Sequence, residues 1–343
     1  MSGPLDLLVV GAGPTGIAIG AAARRAGLEV LLVDRGPLVA SLIDFPTEMT
    51  FFTTRERLEI ADIPFAIPDD KPNRRQAIRY YQAVAAHYRI PLAAGEEVLS
   101  VARRAPGPTG GGGFAVRSRT RHGEVERRAL AVAVATGYFS WPRRLGVPGE
   151  DLPWVHARYH EPYAHFGERV VIVGGGNSGA EAALDLFRHG ARVTLVHRDV
   201  ALKATVKYWI QPDLENRIEE GGIEALFSAE VEAFDPGGAV VVRTAAGGRS
   251  IPCDACYVQI GYEPDPHLLR SAGAEIDPET LTPRFDESTC ESDVPGLYVA
   301  GTVQAGRATS LIFIENSRDH GPRIVRHLLA SGRLPGRAAP SVD

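Results

Sequence analysis

Cysteine is scarce in this 343-residue chain, which contains three. A small, odd number of cysteines argues against a secreted domain held together by disulfides and fits a reducing compartment, so we expect a cytoplasmic protein. Lysine is equally scarce, with three among the 37 basic residues, and the net charge is −5. Because the basic residues are scattered, neither a nucleic-acid partner nor a membrane surface is indicated.

Long apolar runs are also missing, and no stretch is long and charge-free enough to span a bilayer. The apolar N-terminus carries Asp6 and lacks the basic leading region of a signal peptide. His156, His160 and His165 do not have the spacing of a known metal site, and the cysteines lack the second ligand pair of a zinc site, so no metal is predicted. The length leaves room for about two domains.

Glycine, by contrast, falls in two similar patterns. Residues 11–16 read GAGPTG after an apolar run, and residues 174–179 read GGGNSG after another. In such a pattern the first glycine permits a tight turn, the second lets the backbone approach a pyrophosphate, and the third allows close packing of helix on strand. Helices predicted over 17–26 and 180–189 then direct their N-termini at the phosphates. The two patterns predict two dinucleotide sites, with two purely structural turns as the alternative.

A charged residue follows each pattern about 20 positions on, at the end of the next strand. Asp34 there can accept hydrogen bonds from both ribose hydroxyls and would repel a 2′-phosphate. Arg198 suits a 2′-phosphate and pairs with it strongly. The first site therefore fits the adenosine half of FAD or NAD(H), and the second fits NADP(H).

The order of the elements predicts an α/β fold with two Rossmann-like dinucleotide-binding domains, the NADPH domain inserted into the FAD domain. We expect the FAD domain at 1–139 and 266–343 and the NADPH domain at 140–265, because apolar strands over 130–135, 256–260 and 296–300 end in glycine-containing turns. The irregular stretch 36–72 is typical of a working surface. A helix is predicted over 73–87, and a final helix near Ser310.

Five further segments point to a family: 45–54 (FPTEMTFFTT), 58–65 (LEIADIPF), 71–74 (KPNR), 148–153 (PGEDLP) and 312–318 (IFIENSR). Together they resemble the bacillithiol disulfide reductase family. That family lies within the flavoprotein reductases with two dinucleotide-binding domains, which include thioredoxin reductases and flavin monooxygenases. The resemblance covers almost the whole chain.

The resemblance implies FAD, NADPH and reduction of a low-molecular-weight disulfide such as bacillithiol disulfide, by a homo-oligomer. The family typically has a cysteine in the first pattern where this chain has Thr15, so no catalytic residue is assigned. A threonine hydroxyl without an activating base cannot replace a thiolate in disulfide exchange. The N-terminus of the helix after Ser310 is expected to stabilise negative charge on reduced flavin.

Candidate cofactor-binding residues follow from the patterns and from the resemblance. Those expected in the FAD domain are Gly11, Gly13, Pro14, Thr15, Gly16, Asp34, Arg35, Met49, Thr50, Phe51, Val98, Ala135, Thr136, Gly137, Gly301, Thr302, Ser310 and Ile312. Those expected in the NADPH domain are Gly174, Gly176, Asn177, Ser178, Gly179, His197, Arg198 and Lys207. Core packing is the alternative for the 49–51 loop. A solvated role is as plausible as a phosphate contact for Lys203.

Cys253 and Cys256 have the CxxC spacing of a redox dithiol. They introduce a strand, however, and no helix N-terminus follows to lower a thiol pKa. Buried or incidental thiols are the favoured interpretation, and Cys290 stands alone.

Two other functions stay open. A ferredoxin- or flavodoxin-NADP reductase needs no protein cysteine and would bind a small redox protein. Arg74, Arg75 and Arg79 could form its docking patch, although a solvated helix face is the commoner interpretation. A redox sensor that binds FAD and NADPH without turnover is the other.

Overall fold

The computed structural model describes residues 3–105 and 112–334. The chain divides into two compact units, the first made of Met1–Trp141 and Glu263–Asp343, the second of Pro142–Tyr262. The domain limits drawn from the sequence fall two to three residues from these divisions. Which cofactor belongs to which unit stays a prediction.

The elements run as follows in chain order. The first part of the first unit contains β1 (Leu5–Val10), α1 (Pro14–Arg25), β2 (Val30–Asp34), α2 (Ala40–Ile43), α3 (Arg55–Leu58), α4 (Arg74–His87), β3 (Leu92–Ala94), β4 (Glu97–Arg104), β5 (Gly113–Thr120) and β6 (Gly123–Val134). The second unit contains β7 (Val155–His156), β8 (Arg169–Val173), α5 (Asn177–Arg188), β9 (Arg192–Val196), α6 (Gln211–Glu219), β10 (Ile223–Leu226), β11 (Glu230–Asp235), β12 (Ala239–Thr244), β13 (Gly247–Pro252) and β14 (Ala255–Val258). The first unit resumes with α7 (His267–Ser271), β15 (Leu297–Val299), α8 (Ile314–Ser317) and α9 (His320–Ala330).

The first unit is built on a seven-stranded sheet in the order β3-β2-β1-β6-β5-β4, with β15 also paired to β6. The strands β3, β2, β1, β6 and β15 pair with one another in parallel. The strands β4 and β5 pair antiparallel, and β5 pairs antiparallel with the first half of β6. Successive residues of β1 enter opposite faces of this sheet. Leu7 and Val9 join one core and Leu8 and Val10 the other, so both faces of the strand are buried.

The helix α4 begins where the sequence predicts it. The Asn73 side chain accepts from the Gln76 N–H at 2.9 Å and the Gln76 side chain accepts from the Asn73 N–H at 2.8 Å, which is a capping box. Ala77, Tyr81 and Val84 bury one face of the helix in the core. The irregular stretch before it is interrupted by two four-residue helices, α2 and α3.

The second unit has a parallel sheet in the order β10-β9-β8-β14-β7 and a separate antiparallel sheet, β11-β12-β13. The predicted α/β class with two Rossmann-like domains is confirmed, because each unit contains a parallel strand–helix–strand repeat with β1-α1-β2 and β8-α5-β9. The three-stranded sheet was not predicted, although the buried Val240 and Val242 alternate with less buried positions along β12.

The predicted helix starting near Ser310 is wrong. Residues 310–313 are not helical, and two separate helices follow, α8 of four residues and α9 of eleven. The Asn316 side chain holds the preceding backbone in a loop, because it donates to the Leu311 carbonyl at 2.8 Å and accepts from the Phe313 N–H at 2.7 Å. A four-residue helix has little net dipole, so the expected stabilisation of flavin charge by this N-terminus is withdrawn.

Candidate functional site

The first glycine turn joins β1 to α1 and shows why each glycine is required. Gly11 has φ +111°, and a Cβ on it would collide with the Ala135 carbonyl oxygen. A Cβ on Gly16 would likewise collide with the Gly11 carbonyl oxygen. Gly13, at the N-cap of α1, faces open space, since nothing lies within 4 Å of the position of its Cβ. The turn therefore leaves room at the helix N-terminus for a phosphate group to approach the backbone.

Asp34 lies at the end of β2 beside this turn. Its Oδ2 accepts from the Ala12 N–H at 2.7 Å and its Oδ1 from the Gly36 N–H at 2.8 Å. Burial raises the pKa of the Asp34 carboxyl, and these two backbone donors oppose that rise. Each carboxylate oxygen keeps a second acceptor site, which is the arrangement that binding a ribose diol requires.

The second glycine turn, between β8 and α5, repeats the first. A Cβ on Gly174 would collide with the Gln259 carbonyl oxygen, and one on Gly179 with the Gly174 carbonyl oxygen. Gly174 donates to the Val196 carbonyl at 2.9 Å, as Gly11 donates to the Val33 carbonyl at 2.8 Å. The two turns therefore share this hydrogen bond and the same two close contacts.

The matching hydrogen bonds of the two turns show which residue at the end of β9 corresponds to Asp34 at the end of β2. Just as the Ala12 N–H donates to Asp34, the Gly175 N–H donates to His197 Nδ1 at 3.1 Å. His197 is therefore the structural counterpart of Asp34, and Arg198 is the counterpart of Arg35. The sequence spacing agrees with this equivalence, because Asp34 follows Gly11 at the same interval of 23 residues at which His197 follows Gly174, and Arg198 is one residue further on.

His197 is buried, with 4% of its surface exposed, and burial lowers its pKa. Since Nδ1 accepts a backbone hydrogen bond, the ring proton of the neutral form sits on Nε2, which lies 3.2 Å from an Asp199 carboxylate oxygen. The second site thus presents a neutral ring where the first presents a carboxylate. A 2′-phosphate would meet no negative charge from this residue.

Three basic residues, Arg198, Lys203 and Lys207, lie in the segment that follows β9. Arg198 has 72% of its side chain exposed, and its Nε is 3.9 Å from Asp199. The Lys203 side chain passes beside Gly176, with its Cδ 3.8 Å from where a Cβ would lie. The Lys203 N–H donates to the Gly175 carbonyl at 3.0 Å, and the Asn177 side chain accepts from the Lys207 N–H at 3.0 Å. Lys203 was not selected from the sequence, and its closeness to Gly176 favours the phosphate interpretation over a solvated one.

The remaining predicted residues of the second turn differ in exposure. Asn177 is half-buried, and its side-chain amide also donates to the Thr205 carbonyl at 3.0 Å. Ser178, at the start of α5, is exposed. The Asn177 amide therefore fixes the segment that carries the lysines against the helix N-terminus.

Several predicted residues of the first unit meet around Thr15. A Cβ on Gly301 would lie 2.9 Å from Thr15 Oγ1, and one on Gly137 would lie 3.3 Å from Thr302 Oγ1. Thr136 Oγ1 is buried and has no hydrogen-bond partner among the described residues. The Thr136 hydroxyl is next to Gly137 in the chain, and the Thr136 backbone lies beside Gly11. A bound polar group would give this buried hydroxyl the hydrogen-bond partner it lacks. The residues of the first unit therefore fit a dinucleotide.

Other predicted positions lie at the edges of this region. Phe51 belongs to the core, with 7% exposed, whereas Thr50 is exposed. The Arg35 guanidinium lies over the Trp141 ring, 4.9 Å from its centroid. Val98 lies near the start of β4, close in the chain to Glu96, and the Glu96 N–H donates to the Asp34 carbonyl at 3.0 Å. The outlying predictions are placed as follows: Pro14 buried in the first turn of α1; Met49 half-buried against the core; Ser310 exposed and Ile312 half-buried, both before α8.

The proposed cation patch on α4 is smaller than the sequence suggests. Arg74 donates to the Leu42 carbonyl at 3.1 Å and to the Ile43 carbonyl, so it anchors the preceding loop. Arg75 and Arg79 are exposed. Within the described residues no group of three or more His, Cys, Asp or Glu could hold a metal ion. Nor does that part of the chain contain a helix that is both long and apolar enough to cross a membrane.

Known proteins share this arrangement. A family model described as pyridine nucleotide-disulphide oxidoreductase matches residues 8–301. The bacilliredoxin reductase Bdr of Bacillus subtilis (strain 168) is 35% identical over 321 residues, 94% of this chain and 96% of that protein. The structure of the bacillithiol disulfide reductase Bdr (YpdA) from Bacillus cereus aligns with a TM-score of 0.91 at 32% identity, over 96% of this chain and 100% of that one. A ferredoxin–NADP reductase of Ignicoccus hospitalis is 27% identical over 307 residues, 87% of this chain and 90% of that protein.

Proposed function

The chain belongs to the pyridine nucleotide-disulphide oxidoreductase family, and from that premise we propose that it takes electrons from NADPH through FAD and reduces a low-molecular-weight disulfide. Membership makes it an oxidoreductase that uses a flavin and a nicotinamide nucleotide. The observation that carries the finer proposal is the unequal pair of strand ends, with the Asp34 carboxylate in one unit and the neutral His197 followed by Arg198 in the other.

FAD in the first unit is supported by three features. Asp34 is fixed by two backbone donors and keeps acceptor sites for a ribose diol. Gly13 leaves the N-terminus of the twelve-residue α1 open to a pyrophosphate. The unpartnered Thr136 hydroxyl offers one further hydrogen bond.

NADPH in the second unit is supported by charge. The Arg198 guanidinium has the fork geometry that phosphate oxygens accept, and Lys203 adds a second cation beside Gly176. His197 contributes by being neutral, since a carboxylate in its place would repel the 2′-phosphate. We propose that these three residues set the preference for NADPH over NADH.

When both groups are bound, the flavin supplies the chemistry of accepting a hydride from the nicotinamide and passing two electrons to an acceptor. The residues of the chain bind and orient the two nucleotides. His197 holds its proton on Nε2, the tautomer fixed by the Gly175 N–H. Asp34 would hold the ribose, and the first glycine turn would receive the pyrophosphate at the N-terminus of α1.

We propose bacillithiol disulfide as the acceptor, because the names of the Bacillus relatives give bacilliredoxin and bacillithiol disulfide as what those proteins act on. Ferredoxin is the second candidate, favoured by the similarity to a ferredoxin–NADP reductase over most of the chain and by a threonine, not a cysteine, at position 15. A homo-oligomer in the cytoplasm is expected by kinship with the family.

An acceptor panel tests the proposal. The flavin-loaded protein is mixed anaerobically with NADPH, and the reduced protein is then offered bacillithiol disulfide, glutathione disulfide or oxidised ferredoxin. Reoxidation by bacillithiol disulfide faster than by ferredoxin supports the proposal. Reoxidation by ferredoxin alone would replace it with the second candidate.

A further inference from the structure

The three cysteines of the chain are all within the described residues, and all are buried. Cys253, Cys256 and Cys290 expose 2%, 0% and 1% of their surface. Disulfide exchange needs a sulfur atom to approach the S–S bond of the substrate in line. A thiol enclosed by apolar side chains cannot be reached by a disulfide unless the core opens.

The same burial keeps these thiols protonated. It raises the pKa of Cys253 to about 11, with the Asp254 charge adding to the rise, and it raises the pKa of Cys256 well above the ordinary value. The pKa of Cys290 is also raised by burial. A thiol of pKa 11 is thiolate in about one molecule in 10⁴ at pH 7, and the thiolate is the reactive form.

The surroundings of the three thiols in the fold also keep them unreactive. Cys253 and Cys256 belong to the hydrophobic core of the second unit, together with Val171, Phe234 and Val242. Cys290 belongs to the core of the first unit, where the Val299 N–H donates to its carbonyl at 2.9 Å. Their role in the structure is that of small apolar side chains.

Thr15 is the one hydroxyl in the first glycine turn, and it is also unsuited to act as a nucleophile. Its Oγ1 lies 3.1 Å from Ser317 Oγ, and Ser317 donates onward to the Phe313 carbonyl at 2.7 Å. Since the Ser317 proton is used in that bond, Thr15 is the donor of the pair. Its hydrogen-bond partner is another hydroxyl, which cannot remove its proton as a general base would.

We propose that this chain reduces its disulfide substrate without a thiol of its own, so that no mixed disulfide between protein and substrate forms. The inference rests on the proposed function and specifies its last step. The balance is NADPH + H⁺ + RSSR → NADP⁺ + 2 RSH. The S–S bond breaks, two S–H bonds form, NADPH is oxidised, and the second proton comes from solvent. The acceptor must then reach the flavin itself.

The test uses the flavin-loaded protein and has two readouts besides turnover. The first is thiol titration with a chromogenic disulfide, before and after unfolding. We expect no fast-reacting thiol in the native protein and three per chain after unfolding. A Ser250→Cys variant places a thiol on an exposed strand position and is the detection control, with one fast-reacting thiol expected.

The second readout is the intact mass of the protein, quenched with iodoacetamide during reduction of bacillithiol disulfide by NADPH. We expect an unmodified mass, and unchanged turnover in the single variants Cys253→Ala, Cys256→Ala and Cys290→Ala. A trapped adduct or alkylated cysteine on the wild-type protein, or a fast native thiol, overturns the inference. Failure to consume any disulfide counts against the proposed function instead, and the thiol titration still decides this inference.

Discussion

Replacement of Arg198 by alanine is expected to weaken NADP⁺ binding about tenfold and to leave NAD⁺ binding unchanged. A charge-assisted hydrogen bond contributes roughly 1.5–3 kcal/mol. Because 72% of the Arg198 side chain is exposed, solvent screening places the loss near the lower end of that range. About 1.4 kcal/mol corresponds to a factor of ten in Kd.

Isothermal titration calorimetry of the flavin-loaded protein with each oxidised nucleotide measures this difference directly. Arg249→Ala is the matched control, because it removes an exposed arginine of the same unit that pairs with Glu224. The loss for NADP⁺ should shrink as salt is raised, since an exposed contact to phosphate is screened. Equal weakening of NAD⁺ and NADP⁺, or no change in either, would refute the role given to Arg198.

Three further predictions concern His197, the glycines of the first turn, and His320. His197→Asp places a carboxylate where Asp34 lies in the first unit, so NADP⁺ affinity should fall by about tenfold or more, and circular dichroism should show an unchanged fold. Gly13→Ala should leave the melting temperature of the flavin-free protein unchanged, because its Cβ has open space, but it should abolish flavin binding. Gly11→Ala should lower the melting temperature and also abolish flavin binding, because its Cβ meets a carbonyl oxygen. Burial lowers the pKa of His320 to about 4, and its Nδ1 accepts from the Gly301 N–H at 3.1 Å. Neutral His320 should therefore leave the free energy of unfolding at its full value above about pH 6.5. That free energy should fall by up to about 3 kcal/mol as the pH falls to about 4. Denaturant titrations should find a smaller fall in His320→Gln.

Local patterns predicted the units that carry the site. The two glycine turns, their strands and helices, and the capped helix α4 are each specified within some 30 residues, and the helices lie within three residues of their predicted bounds. The steric reason is visible at Gly11, where only a residue without a Cβ fits against the Ala135 carbonyl.

The sequence-based predictions failed where a side chain forms a hydrogen bond or contact that the sequence pattern does not show. Residues 310–313 contain apolar residues that a helix would also accept, but Asn316 binds their backbone and prevents it. The equivalence of His197 with Asp34 follows from their equal spacing from Gly174 and Gly11, but the sequence analysis compared charged residues and therefore took Arg198 instead. Lys203 was undervalued because its approach to Gly176 follows from a backbone bond to Gly175.

The most direct test of the account is the anaerobic reaction of the flavin-loaded protein with NADPH and NADH, followed by bacillithiol disulfide. We predict that NADPH bleaches the visible flavin absorbance much faster than NADH, and that one equivalent of the disulfide restores it with release of two thiols. Equal rates with the two nucleotides would contradict the roles of His197 and Arg198. Flavin that stays reduced in the presence of the disulfide would contradict the proposed reaction.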